Sequence, residues 1–541
     1  MARHCGPPTD GGPLMLQWFV DSPLLTIFFC VGVGSLLGKI KFGPVSFGPA
    51  GALFVALALS AIEPKVALPP IVTSLSLCVF CYMVGIAAGP SFVNALRSGW
   101  QPVVVSVLAI VAMAAAALGV GSWFGLDIGT VAGAFAGAGT ATAALGAVQQ
   151  QLAAGGPIPP EPAIGYAVAY PITVLLTILC CSYLISAGRR KPTAEDRKKL
   201  APIAVRTLEL VGDPALTVRG LSDRYQAVVS RLTRGGTTVV AHDEEALADG
   251  DLLTITARED EVQRMIGDLG RPAQEEPWMD RSDIDFRRIT LSNSSYVGRE
   301  LVDLRLDEKY DAVVSRVRRG DVDIIATPDL VLASGDRLRV TAPREQLAAI
   351  TKELGDSERT AGDINPVGLG LGLTLGLLAA FIEIPLPGGG TLVLGTATAP
   401  LILGVVLGAL GRTGPIIWAL PGNVANTLNQ YSLLVFLVAV GTGAGSGLIT
   451  ALAADWFPLV TLGLAISAAH ALICVIGLRT VLKYGTARSL GGLTGSQLNP
   501  APYAYAIGKV PDQRVAIGYA VLFPVSMIVK VLLAQLMVVY F

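Results

Sequence analysis

The chain has 541 residues, 52% of them hydrophobic and 15% charged, with a formal net charge of −1 and a mean hydropathy of +0.60. This balance excludes a disordered chain, which needs low hydrophobicity and high net charge, and an ordinary nucleic-acid binder, which needs a cationic field against phosphates. It fits a polytopic membrane protein.

Residues 1–13, rich in Gly and Pro, read as a disordered tail, followed by a first membrane block at 14–188. Apolar runs predict membrane helices near 20–38, 49–62, 70–92, 101–124 and 160–186, since a crossing needs ~20 apolar residues. A shorter Gly/Ala/Thr-rich piece lies at 130–150. Cys30, Cys78, Cys180 and Cys181 fall in apolar runs and read as buried small hydrophobes. The Cys78/Cys81 pair has neither the second pair nor the nearby His of a metal site, so no metal is expected.

The charges then concentrate. Between Ala187 and Ala361 lie 28 of the 40 Lys+Arg and 32 of the 41 Asp+Glu, so 60 of 81 charges occupy a third of the chain. That stretch is an aqueous insert. It repeats internally with a shift of 85: AVVSRLTRGG (227–236) lies over AVVSRVRRGD (312–321), and GDLLTITA (250–257) over GDRLRVTA (335–342). Short β-branched runs, closed by acidic helices near Glu259–Leu269 and Arg344–Leu354, predict two small α+β modules at 200–272 and 281–357.

The second membrane block, 363–541, predicts helices at 366–383, 391–411, 431–449, 457–478 and 514–540, with a Gly-rich piece at 488–508. It duplicates the first. Residues 76–100 match 432–456 at 11 of 25 positions, AIGYAVAYP (163–171) matches AIGYAVLFP (516–524) at 7 of 9, and Gly133 and Gly137 fall on Gly491 and Gly495. Five crossings per block is an odd number, so the second block is inverted relative to the first, the architecture of secondary transporters. Lys39, Lys41, Arg97, Arg189–Lys191, Arg412, Arg479 and Lys483 share one side, which the positive-inside rule makes cytoplasmic. The modules are then cytoplasmic and both termini outside.

Each module resembles the C-terminal half of a regulator-of-potassium-conductance (RCK) domain, which implies a small-molecule ligand. Over nearly the whole chain the sequence resembles the aspartate:alanine exchanger family of bacterial antiporters, on ALFVALALSAIEP (52–64), the VVSRxxRG runs, FIEIPLPGGG (381–390) and the IGYA helices; 281–456 is especially similar to its succinate-exporting branch. The resemblance implies an antiporter of small carboxylates in the bacterial plasma membrane, a homodimer, no cofactor and no enzymatic activity.

An anion in a low-dielectric midplane needs donors that carry no buried charge of their own, and unwound Gly-rich helix ends supply them. GAGTATAA (137–144) and GSQLNPAP (495–502) have that character, giving Gly137, Gly139, Thr140, Ala141, Thr142, Gly495, Ser496, Gln497, Asn499 and Pro500 as candidates. The family's first motif usually carries Asn between two Thr and then Pro; Ala141 and Ala143 stand there instead, so the second motif carries more weight. The bland reading of the glycines is close helix packing. Lys530 is the one clear cation deep in a predicted span, so it either meets an anionic substrate or snorkels outward. His470 reads as a packing residue rather than a proton relay. The main rival function, an RCK-regulated cation channel or transporter, lacks a TVGYG-like filter and a GxGxxG fingerprint. An intramembrane enzyme lacks HExxH, GxSxG and paired carboxylates.

Overall fold

A computed structural model describes residues 14–541 apart from 43–44, 47, 99, 154–155, 157, 198–201, 213–214, 275, 277–278, 280, 320–321, 358–364 and 389. The expected tail at 1–13 lies outside these. Two compact units emerge: 1–198 with 370–409 and 425–541, and 199–369 with 410–424.

The first unit is helical and polytopic. After a short helix at Leu14–Asp21, its main helices in chain order are α1 (Pro23–Lys39), α2 (Ala50–Ile62), α3 (Pro70–Ser98), α4 (Trp100–Phe124), α5 (Ile128–Ala138), α6 (Thr142–Ala153), α7 (Glu161–Arg190), α8 (Pro366–Ala379), α9 (Gly395–Leu410), α10 (Gly422–Val475), α11 (Thr486–Gln497), α12 (Pro500–Lys509) and α13 (Gln513–Tyr540). Six stretches among the described residues are long and apolar enough to cross a bilayer: Pro70–Pro90, Trp100–Phe124, Glu161–Arg190, Gly422–Gly445, Ala453–Val481 and Gln513–Tyr540. In α4, exposed Trp100 and Trp123 lie near opposite ends; 23 residues at the helical rise separate them by about 35 Å, the spacing of two interfacial aromatic belts.

The expected boundaries shift where local chemistry intervenes. The helix expected to 383 ends at Ala379, and Glu383–Pro385 pairs with Thr391–Val393 as a short hairpin; Pro385 and Pro387 cannot continue a helix. The span expected from 431 starts at Gly422 and runs on past a kink at Asp455. By contrast α7 and α13 continue through Pro171 and Pro524, and Cys180 is half-buried rather than buried.

The duplication is visible in the packing. A Cβ on Gly137 would meet the Tyr166 carbonyl at 2.5 Å, and one on Gly495 the Tyr519 carbonyl at 2.5 Å. Tyr166 and Tyr519 are themselves equivalent by the IGYA repeat. Thus α5 lies on α7 as α11 lies on α13, with glycines letting the backbones touch.

The second unit holds the two modules. In the first, strands β1 (Ile203–Leu210), β2 (Val228–Arg234), β3 (Thr237–Val240), β4 (Leu252–Arg258) and β5 (Gly270–Pro272) form an antiparallel sheet in the order β3-β2-β4-β1-β5. In the second, β6 (Ile284–Thr290), β7 (Val313–Arg319), β8 (Val322–Ile325) and β9 (Arg337–Pro343) follow the same order, β8-β7-β9-β6. Helices Glu259–Leu269 and Leu347–Leu354 close them. The equivalence extends to atoms. Arg234 Nε and Nη2 donate to the two Asp251 oxygens at 2.8 and 2.7 Å, as Arg319 does to Asp336 at 2.8 and 2.6 Å. Tyr225 donates to Asp268, and Tyr310, 85 residues on, donates to Glu353. Loop 410–424 belongs with this unit: Arg412 Nη1 donates to the Ser295 carbonyl at 2.7 Å.

Candidate functional site

Each membrane block contains one broken helix, and the breaks are equivalent. The α5–α6 chain is interrupted at 139–141 and the α11–α12 chain at 498–499, with Thr140 (φ 47) and Leu498 (φ 64) both in the left-handed region. Extending the Gly133/Gly491 register places Thr140 on Leu498 and Ala141 on Asn499. A left-handed turn ends the first half-helix by drawing its last N–H groups inward: Leu498 N–H bonds Gly495 and Thr494 carbonyls, and Gly139 N–H bonds the Phe135 carbonyl at 2.8 Å.

The two C-terminal half-helix ends meet each other. Gln497 Nε2 donates to the Ala138 carbonyl, and Thr140 Oγ1 donates to the Gln497 carbonyl at 2.5 Å. Between them stands Lys530 of α13, 0% exposed, whose Nζ donates to the Gly139 carbonyl at 2.8 Å and the Ser496 carbonyl at 2.7 Å. The side chain does not snorkel. Two helix C-termini carry roughly −0.5 elementary charge each, so together they balance one ammonium without a carboxylate. In the IGYA register the first block places Thr177 where the second has Lys530, so the cation is a one-sided addition to a symmetric frame.

The opposite half-helices present their N-terminal ends. On α6 the N–H groups of Thr142 and Ala143 precede any intrahelical partner. On α12, Pro500 and Pro502 bring no N–H, and Asn499 caps the helix by accepting from Ala501 N–H at 3.0 Å. The first motif is therefore the richer in backbone donors, although the second has the more polar side chains. Two buried polar atoms here, Gln497 Oε1 and Asn499 Nδ2, have no hydrogen-bond partner, a costly state that a polar ligand would relieve. Thr142 Oγ1 lies 3.0 Å from Tyr166 Oη. Among the ten motif candidates only Pro500 is exposed, so the site is closed to solvent in this conformation.

The structure adds Ser106 and Ser526, which sequence reasoning missed, and places His470, read there as a packing residue, against Ser496. Ser106 Oγ lies 2.7 Å from Ser496 Oγ and 2.8 Å from Ser526 Oγ, and His470 Nε2 lies 2.8 Å from Ser496 Oγ. His470, Ser106 and Ser526 come from three different helices, α10, α4 and α13. The sole hint was that Ser526 occupies the register position of Thr173, which is itself bonded to Ser467 of α10. No cluster of three potential metal ligands occurs among the described residues.

Comparison with known proteins agrees with this architecture. Residues 26–186 and 367–539 match the Asp-Al_Ex family, described as a predicted permease membrane region. Residues 286–355 match the TrkA-C domain. The chain is 36% identical to an uncharacterized transporter of Geobacter sulfurreducens, covering 97% of this chain and 99% of that one. It is 34% identical to an uncharacterized transporter of Cutibacterium acnes, with the same coverage of both chains, and 35% identical to one of Symbiobacterium thermophilum, again with 97% and 99% covered. No solved structure matches. With both membrane blocks matched and relatives alike from end to end, the chain belongs to the Asp-Al_Ex family of predicted permeases and carries a TrkA-C domain in its insert.

Proposed function

We propose that the protein is a secondary active antiporter that exchanges small carboxylates, aspartate against alanine or a dicarboxylate such as succinate, at the paired helix breaks. The observation that carries this reading is Lys530, buried without a carboxylate and bonded to both breaks at once. With its charge offset by two C-terminal dipoles, the N-terminal end of α6 and, more weakly because its first N–H groups are absent or capped, that of α12 leave the site with a positive excess of less than one charge. One carboxylate offsets that excess, and a second calls for a coupled cation or proton. The substrate carboxylate meets the Thr142 end of α6, with Gly139, Thr140 and Ala141 on one side and Ser496, Gln497, Asn499, Pro500 and Lys530 on the other; Gly137 and Gly495 set how closely the elements approach. No covalent chemistry and no cofactor are involved.

In this reading the chain lies in the bacterial plasma membrane as a homodimer, with both termini outside and the modules as cytoplasmic regulators. Exchange follows when the two blocks shift against each other and open the closed site to alternate sides. Proteoliposomes preloaded with aspartate, alanine or succinate test this against a panel of labelled carboxylates. Labelled uptake should require a carboxylate inside. Uptake indifferent to the internal solute, or a potassium flux in its place, would sink the proposal.

A further inference from the structure

The two modules meet through sheet faces that a single module would leave open. Side chains alternate along a strand, so Leu253, Ile255 and Ala257 of β4 enter the first module's own core while Thr254 and Thr256 point away from it. Yet Thr254 and Thr256 are 3% and 1% exposed, because the second module covers them. Along β9 the same alternation turns Arg339 and Thr341 toward the seam.

Both sheets carry a β-bulge at the same repeat position. Ser230 in β2 and Ser315 in β7 are the extra residues, each followed by an arginine, Arg231 and Arg316. Bulges re-aim side chains, and here Ser230, Arg231, Ser315 and Arg339 line a small cavity with Thr256 and Phe286. Its volume, about 10 Å³, suits one oxygen-sized group. Arg231 is 2% exposed, and its Nη2 donates to the Ile284 carbonyl at 2.9 Å. The Arg339 guanidinium stacks on Phe286, 4.0 Å from the ring centre.

Two features set this seam apart from ordinary packing. The Thr256 hydroxyl is buried in it without a hydrogen-bond partner. Cations also converge on it: burial, then Arg316, Arg288, Arg231 and Arg281, pushes Arg339 down to about 10. Asp323 lies 3.8 Å from Arg316 and Asp285 lies 3.6 Å from Arg281, whereas Arg339 has an aromatic face. Ser230 and Ser315 already donate their protons to the Thr254 and Arg339 carbonyls, so the donors left for a ligand are the guanidinium groups and the Thr256 hydroxyl, the recognition chemistry of carboxylates and phosphates.

We propose that the seam between the modules binds a small oxyanion of the carboxylate or phosphate class, one oxygen of which enters the cavity between Arg231 and Arg339. Bound there, the anion offsets the repulsion among the arginines and ties the modules together. The proposal is independent of what the membrane blocks carry.

Hydrogen–deuterium exchange on the full-length protein in detergent, at constant ionic strength, tests it with inorganic phosphate, succinate and chloride as probes. Phosphate or succinate should slow exchange in β2, β4, β7 and β9, and the responding probe identifies the ligand class. Arg339→Gln and the near-isosteric Thr256→Val should each raise the required concentration by about tenfold, the loss of one hydrogen bond to a charged group. Without anion, Arg339→Gln should be protected at least as well as the parent, since one repelling charge is gone. Lys530→Gln should leave the response intact. No response to either oxyanion, an equal response to chloride, a response untouched by both seam variants, or one abolished by Lys530→Gln would each overturn the proposal.

Discussion

Lys530 and Asp336 show two ways in which this protein holds a charge out of water. Lys530 is held by carbonyls at two helix ends. Arg319 lies over buried Asp336, which also accepts from Ala333 N–H at 2.9 Å. In the equivalent first-module pair, burial alone would raise the Asp251 carboxyl, but Arg234 and the Ala248 N–H hold it below the ordinary aspartate range. A depressed carboxylate contributes its stability above the unfolded pKa and loses it as pH falls, so the pair acts in full at neutral pH. Arg319→Ala leaves Asp336, 1% exposed, without its partner. Because the arginine is partly solvated, the expected cost lies near the low end for breaking a buried pair, ~3 kcal/mol. Hydrogen exchange across β7 and β9 reads this directly, and Arg319→Ala/Asp336→Ala should cost less than the sum of its single changes.

At the scale of elements, the broken helices were legible because glycine marks both halves of a duplication. Gly133 and Gly137 align with Gly491 and Gly495, and the interruptions fall just beyond them. What Gly137 and Gly495 do is the blander of the two readings, close helix packing, and which residues make the turns at the breaks was not legible. Gly137 and Gly495 are contact points for α7 and α13, and the left-handed residues at the breaks are Thr140 and Leu498 rather than glycines. Alanine at either glycine puts a Cβ 2.5 Å from a tyrosine carbonyl, and such overpacking costs about 1–3 kcal/mol. Gly137→Ala and Gly495→Ala should therefore lower the unfolding temperature in detergent by similar amounts. A loss for one and none for the other would mean that the blocks do not pack alike. The serine chain around His470 was invisible in the sequence, since Ser106, Ser496 and Ser526 come together only through tertiary packing.

For the whole molecule, charge distribution alone separates the insert from the membrane blocks, and both duplications are legible as self-similarity within the sequence. The meeting of equivalent C-terminal ends at one lysine is what two repeats related by a two-fold axis through the site produce, as inverted repeats are. Sidedness has its own check: a single cysteine at Thr413 should react with impermeant reagent only from the cytoplasm, and one at Glu383 only from outside. Reaction of both from the same side would contradict the inverted topology.

Substrate charge gives the most direct test of the central claim. If the site holds carboxylates through Lys530 and the half-helix N-termini, Lys530→Gln takes away the fixed cation and leaves the dipoles. In proteoliposomes, Lys530→Gln should bind succinate more weakly by ~1.5–3 kcal/mol, the range for a hydrogen bond to a charged group, and zwitterionic alanine by clearly less. Equal losses for succinate and alanine, or no loss for either, would contradict it and leave Lys530 as a clamp on two helix ends.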